Sequence, residues 1–399
     1  MVTAAWVTPF PPDRDGGGGQ IRQAHLLLGL ADQASIELIC PGPVNDAGVL
    51  AAVDRLTEVE PPGPGWRDGH RWARRGADLL ALARSGEPIE VRSFRPVVQA
   101  LAPALEQVTA DVVLVEFAGL APLLAARHAG QWVLTLHNLP SRMAAQQAAV
   151  MPRRRQRWLL RRDAATAAGF EQRAAAGFDA VITCTAADAA ALPSSKPVLV
   201  VPNGVDLGRF RPTPVPSAPR ILFSGALYTN PNVDGAVWFC HHVLPLVWEK
   251  VPGAEVVLAG FRPHPEVRAL GGLPGVQVQA DVVDMRPFLQ AARVCVAPLR
   301  IGSGSRLKVL EAMAAGRPVV GTSIGLEGLD LVPDEQALFA DDPPALAAAI
   351  VRLLTDDGLA ASVAAAGRLA VEERFAWSGI ARSFADSVVA MAGHGGRRH

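Results

Sequence analysis

The chain has 399 residues, 50% of them hydrophobic and 19% charged, with 38 basic and 38 acidic side chains and a pI near 7.1. That hydrophobicity excludes a disordered chain, and the charge balance argues against a dedicated nucleic-acid binder, which would carry a strongly basic face. At the usual ~150 residues per domain, the length suggests two to three domains.

In chain order, Thr3–Thr8, Ile36–Cys40, Asp111–Glu116, Trp132–His137, Ala180–Thr183 and Val198–Val201 read as short buried strands. Helical patterns lie between them, as in Gln20–Ala31, where Ile21, Ala24, Leu27 and Leu28 share one face. Segment 41–65 is rich in Pro and Gly and gives no clear element. Near-continuous apolar strands alternating with helices imply a parallel sheet covered on both faces.

Residues 211–219 hold four prolines and read as a stiff extended linker. The alternation then restarts, with strands at Arg220–Ser224, Glu255–Ala259, Val276–Val278, Val294–Ala297 and Pro318–Gly321. Helices are expected near 234–250, 285–292 and 305–315, a weaker strand at Ala337–Ala340, and Ala-rich helices from Pro344 to about Met391. The tail Gly393–His399 reads as disordered. The fold class is therefore α/β: two Rossmann-like domains, whose carboxyl strand ends should face each other across an interdomain cleft.

The uncharged run Phe117–Ala126 falls well short of the ~18–20 residues of a membrane-spanning helix, and a secretory leader would lack its basic start, since no Lys or Arg precedes Asp13. The four cysteines at 40, 184, 240 and 295 form no CxxC and read as buried thiols of a reducing compartment. These features point to a soluble, cytoplasmic protein. Lysine occurs only at 196, 250 and 308, which makes each one worth inspecting.

The strongest motif runs from Leu299 to Val320. A strand ends near Pro298, the loop Gly302-Ser303-Gly304-Ser305 follows, and a helix begins about Arg306. Amides at a helix start, with the positive end of its dipole, make a phosphate site. Arg306 and Lys308 add two cations where helix electrostatics favours carboxylates, and a bound polyanion would account for them. Glu311 falls on the same helical side as Lys308. The plain structural reading is a capped helix with solvated cations.

This run resembles the nucleotide-sugar segment of family 4 glycosyltransferases of GT-B fold. Leu222–Gly225 with Asn230–Asp234 resembles the opening of the GT-B donor domain, Val200–Asp206 the interdomain PNGVD signature, and Leu134–Asn138 the amino-domain strand ending in the active-site histidine. The resemblance extends from Gly16 to about Phe375. It implies a retaining transferase that moves a sugar from a nucleoside-diphosphate sugar to an acceptor hydroxyl, in bacterial glycan, glycolipid or natural-product glycoside synthesis. Residues 212–375 would form the donor domain and residues 1–211 the acceptor domain, with a final helix at about 376–392 packing back on the latter. His137, Arg306 and Lys308 would serve the chemistry. Gly225, Gly302, Ser303, Gly304, Ser305 and Glu311 would join Arg306 and Lys308 around the donor, Glu311 at its ribose.

Two departures stand out. Family members often carry E-x7-E; Glu311 matches the second glutamate, but Ser303 stands where the first belongs. No Arg or Lys occurs in 225–235, where many relatives place basic residues for the diphosphate, so Arg306 and Lys308 would take over that charge.

On the acceptor side or in the cleft the candidates are Gly17, Gly18, Gly19, Arg22, Glu116, Asn138 and Asn203. Gly16–Gly19 reads as a loop near the acceptor, since the dinucleotide fingerprint fails: Ile21 stands where the third glycine belongs. Arg153, Arg154, Arg155, Arg157, Arg161 and Arg162 surround Trp158, Leu159 and Leu160, and read either as a solvated helix face or as a peripheral contact with the inner face of the membrane. Gly321–Gly325 imitates a hydrolase elbow, but only His394 and His399 follow it, so that reading is set aside.

The scheme requires no cofactor and no metal, the nucleoside-diphosphate sugar being a co-substrate, and the motif lacks an Asp-x-Asp metal clasp. Expected partners are that donor and a glycan, lipid-linked or small-molecule acceptor, without nucleic acid. A nucleotide-sugar epimerase on the same fold and a non-catalytic GT-B partner protein are the alternatives.

Overall fold

A computed structural model of the chain describes residues 1–63 and 87–395. It divides into one unit of Met1–Pro202 with Trp377–His399, and a second of Asn203–Ala376.

The first unit is a seven-stranded parallel sheet of order β3-β2-β1-β4-β5-β6-β7. Its strands are β1 (Val2–Val7), β2 (Ala34–Pro41), β3 (Arg55–Val59), β4 (Val112–Glu116), β5 (Gln131–Leu136), β6 (Ala180–Thr183) and β7 (Val198–Val200). The central strands are mostly apolar because helices cover both faces. On one side α3 (Ile89–Leu105) and the 3-10 segment Ala118–Ala126 meet Ala5, Val7, Val113, Val115 and Leu134. On the other, α1 (Gly18–Ala31) lies against the last helix, Trp377–Gly395, and a Cβ at Gly29 would fall 2.5 Å from that of Ala381. Phe384 of this helix meets Trp6 of β1 edge-on at 5.9 Å.

Three expectations change here. The unassigned 41–65 segment contains α2 (Ala47–Ala52) and β3, while its last two positions lie outside the described residues. β3 is an edge strand of sequence RLTEV, half-covered and polar enough to escape an apolar-run reading. The glycine loop is shorter than expected, since Gly17 caps α1 while Gly18 and Gly19 form its first turn. The tail is helical through Gly395, and 396–399 lie outside the described residues.

The second unit is a six-stranded parallel sheet of order β10-β9-β8-β11-β12-β13. Its strands are β8 (Arg220–Ala226), β9 (Glu255–Phe261), β10 (Val276–Ala280), β11 (Val294–Ala297), β12 (Val319–Gly321) and β13 (Leu338–Phe339). Separate apolar clusters fill its two faces, one built on Phe223, Phe239 and Ile350, the other on Leu310, Met313 and Val371. The helix expected at 234–250 begins at Asn230 and passes through a π turn, Phe239–Val243, just before Pro245. Proline lacks the N–H that an uninterrupted α-helix would use, and a π turn absorbs the mismatch.

The domain boundary also moves, from 211/212 to 202/203. The proline stretch is a strap on the second unit rather than a spacer. Buried Arg317 donates to Thr213 Oγ1 (2.7 Å) and Pro214 O (3.0 Å), and Arg293 donates to Pro216 O (3.1 Å). Prolines cannot donate, but their carbonyls accept, and these two guanidiniums supply the donors.

Candidate active site

Open parallel sheets bind ligands at the carboxyl ends of strands where the strand order reverses. In the second unit that point lies between β8 and β11. Gly225, near the end of β8, has φ +141°, and a Cβ there would lie 2.9 Å from Lys308 Nζ. Lys308 belongs to the helix Leu307–Ala314, which follows the 302–305 loop. Its Nζ donates to Asn232 Oδ1 at 2.7 Å and stands 4.4 Å from the centre of the Phe223 ring. Asn232 Nδ2 donates to Ala226 O (3.0 Å) and Thr229 Oγ1 (3.1 Å), which turns its carbonyl toward the lysine.

Burial lowers the Lys308 pKa to about 7, with Arg306 pushing the same way and Glu311 opposing. Burial likewise raises Glu311 to about 7, against the pull of Arg209 and Lys308. The site therefore holds an ammonium group on the edge of losing its proton, which a polyanion would stabilise.

The loop is built tightly. A Cβ at Gly302 would fall 2.0 Å from Arg306 Nη2, and Gly304 has φ +76°. Arg306 is the N-cap residue, so the helix starts at Leu307, one position later than expected, and the Arg306 guanidinium donates to Ser303 O (2.6 Å) and Ile324 O (3.2 Å). It thus ties a carbonyl of its own loop to the segment that follows β12. Ser303 and Ser305 are buried, and Asn203 reaches Ser305 twice, N to Oγ at 2.9 Å and Nδ2 to O at 3.0 Å. Asn203, expected on the acceptor side or in the cleft, therefore supports the 302–305 loop. It does so because it is the first residue of the second unit.

In the first unit the reversal lies between β1 and β4. Glu116 ends β4, and His137 directly follows β5. His137 Nε2 and Glu116 Oε2 are 2.5 Å apart, with side-chain exposures of 8% and 1%. Phe117 stacks on the imidazole at 3.9 Å and 12°, held at a left-handed φ of 71° that a bulky residue rarely adopts. Burial lowers the His137 pKa; Glu116 opposes this, and Arg22 reinforces it. Arg22 is itself buried and donates to Pro202 O at 2.9 Å. Gly19 closes the group, since a Cβ there would lie 2.9 Å from Phe117 Cζ and 3.6 Å from His137 Nδ1. Gly17 N donates to Gln20 Oε1 at 3.1 Å, which fixes the start of α1. Asn138 sits half-buried at the strand end.

The structure thus brings Gly19, Arg22, Glu116 and His137 together, and separately Gly225, Lys308, Glu311, Asn203 and the 302–305 loop. Phe223 and Asn232 lie inside the Leu222–Gly225 and Asn230–Asp234 segments but were not singled out as site residues.

Elsewhere, Arg153, Arg154, Arg155, Arg161 and Arg162 are exposed at the start of the helix Arg154–Gly177, and Trp158 is 58% exposed. Arg157 instead turns back to Met151 O and Pro152 O. The hydroxyl of Ser323, in the elbow-like segment, donates to Asp341 Oδ2 at 2.6 Å. Among the described residues, no helix is long and apolar enough to cross a membrane.

Similarity to known protein families extends over both units. Residues 16–209 match the family described as Glycosyltransferase Family 4, and residues 218–356 match Glycosyl transferases group 1. The chain belongs to the family 4, group 1 glycosyltransferases. It is 30% identical over 189 residues to a phosphatidyl-myo-inositol mannosyltransferase of Mycolicibacterium smegmatis, covering 45% of this chain and 48% of the relative. It is 34% identical over 216 residues to a D-inositol 3-phosphate glycosyltransferase of Xylanimonas cellulosilytica, covering 47% and 50%. The chain thus spans about half the length of these curated relatives. Among solved structures, sucrose-phosphate synthase of Thermosynechococcus elongatus superposes with a TM-score of 0.75 at 19% identity, covering 99% of this chain and all of the other. Anabaena HepE in complex with UDP and glucose gives 0.66 at 14%, covering 98% and all of the other. The fold is GT-B.

Proposed function

We propose that the protein transfers a sugar from a nucleoside-diphosphate sugar to an acceptor hydroxyl with retention of anomeric configuration. The observation that carries this reading is Lys308, a cation with a depressed pKa facing Gly225 at the switch point of the second unit. Its charge, the 302–305 loop and the helix start would hold the diphosphate, and Glu311 would meet the ribose. Arg306 acts in this scheme by shaping the loop. As the bond from the anomeric carbon to the phosphate oxygen breaks, the acceptor oxygen bonds on the same face, and its proton passes to the departing phosphate. Fixed positive charge and positioning supply the stabilisation.

His137, Arg22 and Gly19 of the first unit would serve the sugar and the acceptor. The relatives named for inositol compounds support a phosphorylated or lipid-linked acceptor. Arg153–Arg162 with exposed Trp158 would then rest on anionic lipid.

The deciding experiment titrates UDP, GDP and dTDP into wild-type and Lys308→Met protein, then follows nucleotide release from UDP-glucose and GDP-mannose. Tight binding of one nucleotide that the variant loses, with release of nucleoside diphosphate, supports the reading. Sugar isomerisation without release would instead favour an epimerase, and binding without turnover a non-catalytic partner protein.

A further inference from the structure

We propose that Glu116 is a positioning residue, holding His137 as its Nε2–H tautomer so that the Nδ1 lone pair accepts a hydroxyl hydrogen of the sugar substrate. The inference rests on the transferase reading for its substrate class, but its geometry stands alone.

A carboxylate can only accept, so the 2.5 Å contact of Glu116 Oε2 places the imidazole proton on Nε2. The remaining nitrogen, Nδ1, faces Gly19 in the first turn of α1, to judge from the 3.6 Å separation of a Cβ built there. None of the described residues hydrogen-bonds it. A proton on Nδ1 would meet two repulsive fields, the positive end of the α1 dipole and the Arg22 guanidinium, which itself lowers the His137 pKa. Burial acts in the same direction. The neutral ring is therefore an acceptor toward the ligand, and it would repel a phosphate oxygen while taking a hydroxyl. Phe117, stacked flat on the ring, keeps it from rotating.

Glu116 itself is poorly accommodated for a structural residue. It is 1% exposed, and Oε1 has no hydrogen-bond partner among the described residues. A buried carboxylate oxygen left unpaired lowers stability, so its presence calls for a functional reason.

The test pairs nitrogen NMR of 15N-histidine-labelled protein with calorimetry and turnover, using Glu116→Leu, Glu116→Asp, and His137→Gln to assign the resonances. At pH 7.5 the wild-type His137 is expected as neutral Nε2–H, and Glu116→Leu is expected to shift the ring toward the other tautomer. The leucine variant should melt no lower than wild type. Its release of UDP from UDP-glucose, or of GDP from GDP-mannose, should fall at least ~10-fold in kcat with nucleotide affinity unchanged. Glu116→Asp should recover part of that loss. An imidazolium or an Nδ1–H ring in the wild type overturns the proposal, as does a Glu116→Leu protein that melts several degrees lower or turns over normally. If wild type releases neither nucleotide, the transferase reading fails instead, and the NMR result still decides the role of Glu116.

Discussion

Asn203 and Ser305 stand 102 positions apart, yet they are joined by two hydrogen bonds, both buried. The first residue of the second unit thereby sets the height of the loop that precedes Lys308. Asn203→Ala removes one bond and leaves the Ser305 carbonyl without that donor, at a cost of about 1–3 kcal/mol. Thermal unfolding should report the loss. Titration of UDP or GDP should show weaker binding, because the loop is no longer held in place.

Lys308 gives nucleotide binding a pH signature. With its pKa lowered to about 7, the side chain is charged below neutrality and increasingly neutral above it. A diphosphate favours the charged form, so binding above pH 7 must take up a proton, and affinity should fall between pH 7 and 9. Calorimetry in two buffers of different ionisation enthalpy measures that uptake. Lys308→Met should abolish the uptake and weaken binding by about 1.5–3 kcal/mol, roughly ten- to a hundred-fold.

A second pH effect concerns stability. Glu90 is raised to about 8, mainly by burial, with repulsion from Glu171 and Asp163 adding to it. The folded protein keeps this proton after the unfolded chain has lost it near 4.5, so this group's contribution to stability falls from about pH 4.5 to 8 and then levels. Glu90→Gln removes that dependence. The Tm advantage of the variant over wild type should grow between pH 5 and 8 in a series of melts.

For the arginine-rich helix start, Arg154→Glu combined with Arg155→Glu should reduce sedimentation with phosphatidylglycerol vesicles by at least ~10-fold, at about 1 kcal/mol per charge. Wild-type binding should weaken with added salt and be absent on phosphatidylcholine alone. Equal binding to both lipids would remove the membrane role.

The apolar strands were legible in the sequence because both faces of each sheet are covered. β3 escaped because an edge strand alternating Arg, Leu, Thr, Glu and Val carries no such run. Glu116 and His137 were each recognisable as strand-end residues, but their pairing depends on the register that sets Glu116 beside Thr135. Lys308 stood out by its rarity and its motif. Its burial against Phe223 and Asn232 arises from tertiary packing, as does the turn of Arg306 away from solvent and onto its own loop. The proline stretch misled for a related reason, since backbone stiffness says nothing about which surface the segment lies on.

The last helix, Trp377–Gly395, belongs to the unit that begins the chain, so the second unit is one unbroken stretch nested inside the first. During synthesis the first sheet emerges early, but the helix that covers α1 and Trp6 follows only after the second unit. The nested unit can finish folding while the outer one still waits for its final element. Trp6 and Phe384, 378 positions apart, therefore meet in a single core, and the first unit closes only after the whole of the second has been made.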